Sequence, residues 1–238
     1  MNLRPLLISA FLVGLLPVVA AAGSFTVSPV RVELSPARPL SSITLSNDAD
    51  TPIQIEVRGV AWSQNEAEDV YADTRELIVT PPVFTLPGKG SQIIRLGLRR
   101  NPDAKDELAY RIFLSEVKPA VQSEATGVTM NLRLSVPVFV KPVAAAQPRL
   151  DWTARRAEGG ALLLRADNRS NTHVQVANLK LTKGNEVAGQ LSSAAYLLPG
   201  QGREWTIQPE PGHAFTAPSI TLSGFSDAGE VKVDLAIP

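Results

Sequence analysis

The sequence predicts an all-β protein made of two related antiparallel sandwiches, and three observations lead there. From Gly23 onward apolar residues alternate with a period of two far more often than with the period of a helix. Nineteen prolines and sixteen glycines break that pattern about every ten residues. A strand, an Asn-containing turn and a second strand are then spelled twice, once in each half of the 238 residues.

The first segment stands apart from this pattern. Arg4 supplies a positive start, Leu6 to Ala21 is almost uncharged, and Ala20-Ala21-Ala22 offers a small-residue cleavage site before Gly23. These features predict a secretory signal over residues 1–22. The alternative is a membrane anchor, but an apolar run of roughly 16 residues is short of the ~20 that a spanning helix needs. No later stretch is long and apolar enough to span, so the mature chain is expected to be exported and soluble, without stable membrane insertion.

Within the mature chain, alternation bounded by Asn, Asp, Pro or Gly predicts strands at Ser42–Ser46, Ile53–Val60, Gln92–Leu98, Tyr110–Val117, Ala161–Ala166, Val174–Leu181 and Ile220–Gly224. The repeat sets Ile43 to Asn47, turning into Ile53 to Val57, beside Leu163 to Asn168, turning into His173 to Val176. Leu86-Pro87-Gly88 and Leu198-Pro199-Gly200 follow in the same order, each ahead of a further strand. A charge-free stretch, Pro142 to Pro148, separates the halves. The expected division is a first domain at 23–142, a linker at 143–148 and a second domain at 149–238.

Composition removes whole classes of function. Lys+Arg 23 against Asp+Glu 23 gives no basic surplus for nucleic acid, and 44% hydrophobic residues suffice for packed cores. With no cysteine and only His173 and His213 for histidines, thiolate chemistry is absent and a metal or proton-transfer site is short of parts. No nucleophile elbow or phosphate-cradling loop occurs, so no enzyme activity, cofactor or metal is expected. Trp62, Trp152 and Trp205 read as core or domain-junction packing in preference to sugar platforms. Asn168-Arg169-Ser170 fits a glycosylation pattern, but more simply shapes a turn.

One segment is unusual. Residues Val128 to Lys141 alternate without a break: Val128, Met130, Leu132, Leu134, Val136, Val138 and Val140 on one face, Thr129, Asn131, Arg133, Ser135, Pro137, Phe139 and Lys141 on the other. At ~3.3 Å per residue this is a strand of roughly 40 Å, about twice the usual length. Pro137 lacks a ladder donor, which favours a sheet edge or a bulge there. Its apolar face is either all domestic core or partly lent to a partner. In the second case Val128, Met130, Leu132 and Leu134 are the donated row, contributing roughly 6–12 kcal/mol before ordering costs.

Text spread over the chain resembles the PapD-like periplasmic chaperones of chaperone–usher pilus assembly. It comprises Ser28-Pro29-Val30-Arg31-Val32-Glu33-Leu34, Ser46-Asn47-Asp48, Thr80 to Gly88 leading into Ile94-Arg95-Leu96, Glu107-Leu108-Ala109-Tyr110-Arg111, Glu116-Val117-Lys118-Pro119 and Pro137-Val138-Phe139-Val140-Lys141-Pro142. Leu150-Asp151-Trp152, Asp167-Asn168 and Ser226 to Glu230 match more loosely. The resemblance implies two immunoglobulin-like domains in a boomerang, in the periplasm. It implies pilin or fimbrial subunits and an outer-membrane usher as partners, with the donor strand filling an incomplete subunit until the usher exchanges it. The missing cysteines and the Leu-Arg-Leu-Ser-Val-Pro-Val-Phe text look like the archaic, non-classical branch. A free donor edge also leaves self-association open when no subunit is bound.

The same resemblance implies a cleft where an arginine near the mature start and a lysine of the donor strand clamp the subunit's terminal carboxylate. Arg31 falls at the arginine's place. The lysine's place is held by Pro137, so a substitute is expected among Arg133, Arg95 and Lys141, in that order. A fixed charge at one end would keep the hydrophobic row from slipping register. The alternative function is a two-domain structural or adhesive surface protein, in which the long strand closes a sandwich and nothing is lent.

Overall fold

The computed structural model describes residues 25–65, 68–103, 105–117 and 131–238. The expected signal at 1–22, and Val128 and Met130 of the expected donor row, lie outside them. In the first half the strands are β1 (Phe25–Ser28), β2 (Val32–Leu34), β3 (Leu40–Asn47), β4 (Ile53–Asn65), β5 (Glu68–Asp73), β6 (Leu77–Thr80), β7 (Val83–Leu86), β8 (Ser91–Leu98), β9 (Leu108–Val117) and β10 (Arg133–Val140). The second half holds β11 (Leu150–Arg156), β12 (Leu162–Asn168), β13 (Val174–Lys183), β14 (Glu186–Leu191), β15 (Ala195–Leu197), β16 (Gly202–Ile207), β17 (Ser219–Ser226) and β18 (Gly229–Ala236). One 3-10 turn at Glu158–Gly160 is the sole helical element among the described residues.

Each half is a two-sheet sandwich. The first packs a sheet of order β1-β3-β8-β6 against one of order β2-β10-β9-β4-β5, with β7 also paired to β4. The second packs β11-β12-β16 against β14-β13-β17-β18, with β15 paired to β13. Alternation explains the packing: in β3, Ile43 and Leu45 point inward and are fully buried while Ser42 and Thr44 do not. One core runs from Phe25 to Val140 and a second from Ala154 to Ile237. Residues 141–149 carry no strand, and Asn171 of the second sandwich fastens them: its Oδ1 accepts from the Gln147 N–H and its Nδ2 donates to the Ala145 carbonyl.

The repeat has a physical basis in two buried asparagines. Asn47 donates from Nδ2 to the carbonyls of Thr51 at 2.8 Å and Pro87 at 3.1 Å, and its Oδ1 accepts from the Ala49 N–H at 3.0 Å. Asn168 does the same with Thr172 at 2.9 Å, Leu198 at 3.1 Å and the Ser170 N–H at 2.9 Å. Each side chain therefore ties the turn after its own strand to a turn on the far side of the sandwich. The two far turns do not align on their Leu-Pro-Gly text. Pro87 to Gly90 matches Leu198 to Gln201, because Gly90 N–H bonds Pro87 O as Gln201 N–H bonds Leu198 O. Lys89 (φ 55) and Gly200 (φ 70) hold the same left-handed place, so the structural repeat is one residue out of step with the sequence repeat.

Strand β10 departs from its expected length. Its described part begins at Arg133, eight residues in all, although the Leu132 carbonyl still accepts from the Glu116 N–H at 3.1 Å. Val136, Val138 and Val140 are buried in the first core, whereas Leu132 and Leu134 pack at its margin half-buried. Phe139, on the face that reads as polar in sequence, is fully buried because the second sandwich covers it.

Replacing Asn168 with Ala strands two or three carbonyl acceptors in a buried turn, so unfolding in urea should show a loss of about 2 kcal/mol. Asn168→Asp should be at least as harmful, since it exchanges the donor for another acceptor. Stability within 0.5 kcal/mol of the unchanged protein for both variants would show that the turn is held elsewhere.

Candidate functional site

Two backbone hydrogen bonds set the orientation of β10. Leu132 O bonds β9 through Glu116 N–H, and Lys141 N–H bonds β2 through Leu34 O at 2.9 Å. Backbone groups of even-numbered residues therefore face β9, and those of odd-numbered residues face the other way. The register with β9 runs from Arg133↔Ser115 to Val140↔Leu108 without a bulge. The parallel partner β2 covers only Val138 to Val140. Among the described residues no strand pairs with Arg133 to Pro137 on that side, so the backbone N–H and C=O groups of Arg133 and Ser135 form an open edge. Pro137 sits at the end of this edge, where its missing N–H takes nothing from the ladder to β9. Of the two sequence expectations for Pro137, the edge holds and the bulge does not.

The outer face of this sheet carries the cations. Pro137 lies opposite Arg111 of β9. The parallel pairing Val138↔Val32, extended by one residue, puts Arg31 on its other side. Two arginines thus flank the position where the resemblance calls for lysine. The Arg111 guanidinium lies 4.0 Å from the Trp62 ring centre, and its Nη1 donates to Ser135 Oγ at 3.1 Å. Its Nη2 is 3.8 Å from Asp69 Oδ2, and its Nε is buried without a hydrogen-bond partner.

Arg31 and Lys141 line one cavity of about 350 Å3 between the sandwiches, together with Glu33, Glu107, His173 and Asp227. Lys141 Nζ is 2.6 Å from Glu33 Oε2. Arg31 is 3.6 Å from Glu33 and 3.6 Å from Asp227. The hydrogen bond from Lys141 is the main reason that the Glu33 carboxyl is held below its ordinary value, with the positive charges of Lys141 and Arg31 adding to it and partial burial opposing them. The other two sequence candidates are elsewhere. Arg133 stacks on the Phe113 ring at 3.8 Å near the far end of the strand. Arg95 is exposed on β8 of the opposite sheet, between Ser42 and Thr80.

The junction beside this cavity is small and tightly built. Phe139, Trp62 and Leu198 form its buried apolar part, and the His173 ring stacks on Phe139 with centroids 3.5 Å apart. Glu107 Oε2 accepts from the His173 backbone N–H at 2.7 Å and pairs with its Nδ1 at 2.6 Å. Gln64 donates to Tyr196 O and accepts from Leu198 N–H, both at 2.9 Å. A second cleft of about 540 Å3, lined in part by Trp62, Gln64, Tyr110 and Gln201, opens beside it.

Sequence reading missed Arg111, Glu107, His173 and Asp227 as members of this region. The β9–β10 register brings Arg111 to the site, and the other three meet only when the two halves fold together. A sequence comparison could have flagged Glu107 and Arg111 within the quoted Glu107-Leu108-Ala109-Tyr110-Arg111 text. His173 carries no local signal.

A family model described as the pili and flagellar-assembly chaperone, PapD N-terminal domain, matches residues 24–146, just over half of the chain. No curated protein sequence matches. Among solved structures, the chain is similar to one in the CsuC–CsuE chaperone–tip adhesion subunit pre-assembly complex of the archaic chaperone-usher Csu pili of Acinetobacter baumannii. That match has 18% identity and a TM-score of 0.67, covering 90% of this chain and 99% of that one. The E. coli chaperone DraB matches at 21% identity and a TM-score of 0.60, covering 90% and 97%. A chain of the Salmonella enterica SafA pilin–SafB chaperone complex matches at 17% identity and a TM-score of 0.60, covering 90% and 96%. At these identities the likeness establishes the fold: two immunoglobulin-like sandwiches in tandem.

The Glu33 carboxyl should titrate below the ordinary glutamate value when followed by carbon NMR, and Lys141→Met should move its midpoint upward. The sign follows from the lowered folded value: the Glu33–Lys141 contribution is present above the ordinary carboxylate range and is lost as pH falls through the lowered midpoint. A midpoint that Lys141→Met leaves unmoved would remove Lys141 as the cause.

Proposed function

Because the chain belongs to the family of pili and flagellar-assembly chaperones with a PapD N-terminal domain, we propose that it is a periplasmic chaperone that holds pilus subunits by lending them strand β10 and hands them to an outer-membrane usher. The observation that carries this reading is the open edge of β10 at Arg133 and Ser135, continuous with the half-buried Leu132 and Leu134. An edge of this kind supplies a client with ladder hydrogen bonds and a row of apolar side chains together. Val128 and Met130 extend the donated row on the sequence pattern alone.

The client is a sandwich that lacks a strand, so its groove takes up the row and its chain end lies where the donor strand enters the junction. We assign the terminal carboxylate to the cations around Pro137: Arg31 and Lys141 in the cavity, with Arg111 on the neighbouring strand completing the positive rim. Guanidinium groups suit this task because they grip a carboxylate through paired N–H donors. Arg133 and Arg95 are left out of the clamp, the first because it is stacked on Phe113 away from the junction, the second because it is on the other sheet. The likeness to the Csu-type assembly supports the archaic branch, and the predicted signal at 1–22 supports the periplasm. Usher delivery is the step that follows from the pathway: the usher replaces β10 with the extension of another subunit.

Co-expression with pilins that lack their final strand tests the reading. Pilin should be recovered in soluble one-to-one complex only when the chaperone is present. Ser135→Pro removes one N–H from the open edge without touching the ladder to β9, but it also removes the Oγ that accepts from Arg111; measured against Ser135→Ala, which loses only that Oγ, it should lower recovery by about tenfold at nearly unchanged thermal stability. Leu134→Glu should abolish recovery, since it carries an unpaired charge into the client groove. Full recovery with Ser135→Pro, or finding this protein built into purified fibres, would overturn the proposal.

A further inference from the structure

Arg31 has donor capacity that the protein leaves unspent. Both of its carboxylate neighbours are 3.6 Å away, and none of its N–H groups makes a hydrogen bond to a described residue. The two neighbours are not equivalent. Glu33 belongs to the same segment and is already engaged by Lys141 at 2.6 Å. Asp227 comes from the turn between β17 and β18 of the second sandwich.

Asp227 is built to stay in place without Arg31. Its Oδ1 accepts from the Gln175 N–H at 3.0 Å, and its own N–H donates to the Gln175 carbonyl at 3.1 Å. Only Oδ2 looks across the cavity, 3.6 Å from Arg31 Nη1 and 3.5 Å from His173 Nε2, a buried atom with no hydrogen-bond partner. The side chain keeps 28% of its surface exposed, so water reaches Oδ2 when Arg31 turns away.

From this geometry we propose that Asp227 is a built-in counter-ion that occupies Arg31 in the unloaded protein and is displaced by the terminal carboxylate of the client. The inference rests on the chaperone reading above and adds a regulatory step to the same site. Asp227 and a chain terminus present the same chemical group, but Asp227 is fixed to the backbone at Gln175 and meets Arg31 only at 3.6 Å. A client carboxylate is free to come closer and to take two N–H donors at once. Exchange then replaces a long ion contact with a hydrogen-bonded one, and the displaced carboxylate retains Gln175 and water. Capture also opens one polar contact between the sandwiches, leaving Glu107–His173 and the Gln64 bridge across the junction. Asp227 thus acts as a positioning residue: it holds Arg31 toward the cavity and makes subunit release easier by competing for it.

The test uses partition. A pilin recovered with this chaperone in the co-expression above is prepared with a free C-terminal carboxylate and, by ligation, with a C-terminal carboxamide. Each form is refolded from denaturant into an equimolar excess of unchanged and variant chaperone, and the complexes are counted by native mass spectrometry. Asp227→Asn keeps the Gln175 hydrogen bond and the side-chain shape while removing the charge; Asp227→Ser is a second neutral variant should the first fold poorly. For the free-acid pilin the neutral variants should take about two- to fivefold more client than the unchanged chaperone, the range expected for freeing one partly exposed ion pair. For the carboxamide pilin the partition should be even. An even split or a loss for the free-acid form, or an equal shift for both forms, overturns the counter-ion. Capture of neither form by any chaperone overturns the chaperone reading, and the counter-ion with it.

Discussion

The backbone of β10 has polar groups on both sides, and the protein satisfies one side along the whole strand while covering only Val138 to Val140 on the other. An unpaired ladder is a hazard in any soluble protein, and most edges are blunted by charge, bulges or short length. Here the edge is kept regular and is bordered by half-buried leucines. Pro137 sets its limit, because β2 takes over the pairing at the next residue. The open stretch is therefore short, defined at one end, and continuous with a strand whose other face is locked in the first core. That combination leaves the edge open to further pairing without unfolding the domain that carries it.

Proline at position 137 also explains why the positive charge around it is distributed. A lysine there would place its ammonium in the middle of the row. Instead the neighbours on either side, Arg31 by extension of the β2 register and Arg111 on β9, flank the buried proline. Each arginine is restrained differently. Arg111 is set between Trp62 and Ser135, with a buried Nε that finds no acceptor. Arg31 faces carboxylates that are close enough to orient it and too far to saturate it. Planar donors held in this way are pre-oriented for an anion, so less side-chain freedom is lost when one arrives.

Much of the fold was legible in the sequence. All seven predicted strands overlap observed ones, because half-buried strands announce themselves through alternation and their ends through Asn, Gly and Pro. The repeat was legible in outline but not in register: the eye aligns Leu-Pro-Gly, whereas the turn is defined by which residue takes positive φ, and Lys89 and Gly200 do so one step apart from the text. The site was legible only in part. Period-two parity says which face Arg133 occupies but not how far along the strand the junction lies, and Arg133 stacks on Phe113 there instead. Parity likewise assigns Phe139 to the polar face, which is correct for the strand and wrong for the molecule, since a second sandwich closes over it. His173, Glu107 and Asp227 are far apart in the chain, and no pattern within either half brings them together.

The register of β10 and the arrangement of the two sandwiches are not independent. Slipping the strand by two residues would keep apolar residues facing the first core, so the core alone discriminates weakly against it. The outer face discriminates strongly. Phe139 is stacked on His173 and packed with Trp62 and Leu198, and a two-residue shift would put Pro137 or Lys141 in that place. Glu107, just before β9, fixes the other end of the same contact by holding both the backbone and the ring of His173. The second sandwich thus serves as the clamp that pins β10 of the first, and this couples the open edge to the domain junction: any strand added at that edge would pull against Phe139.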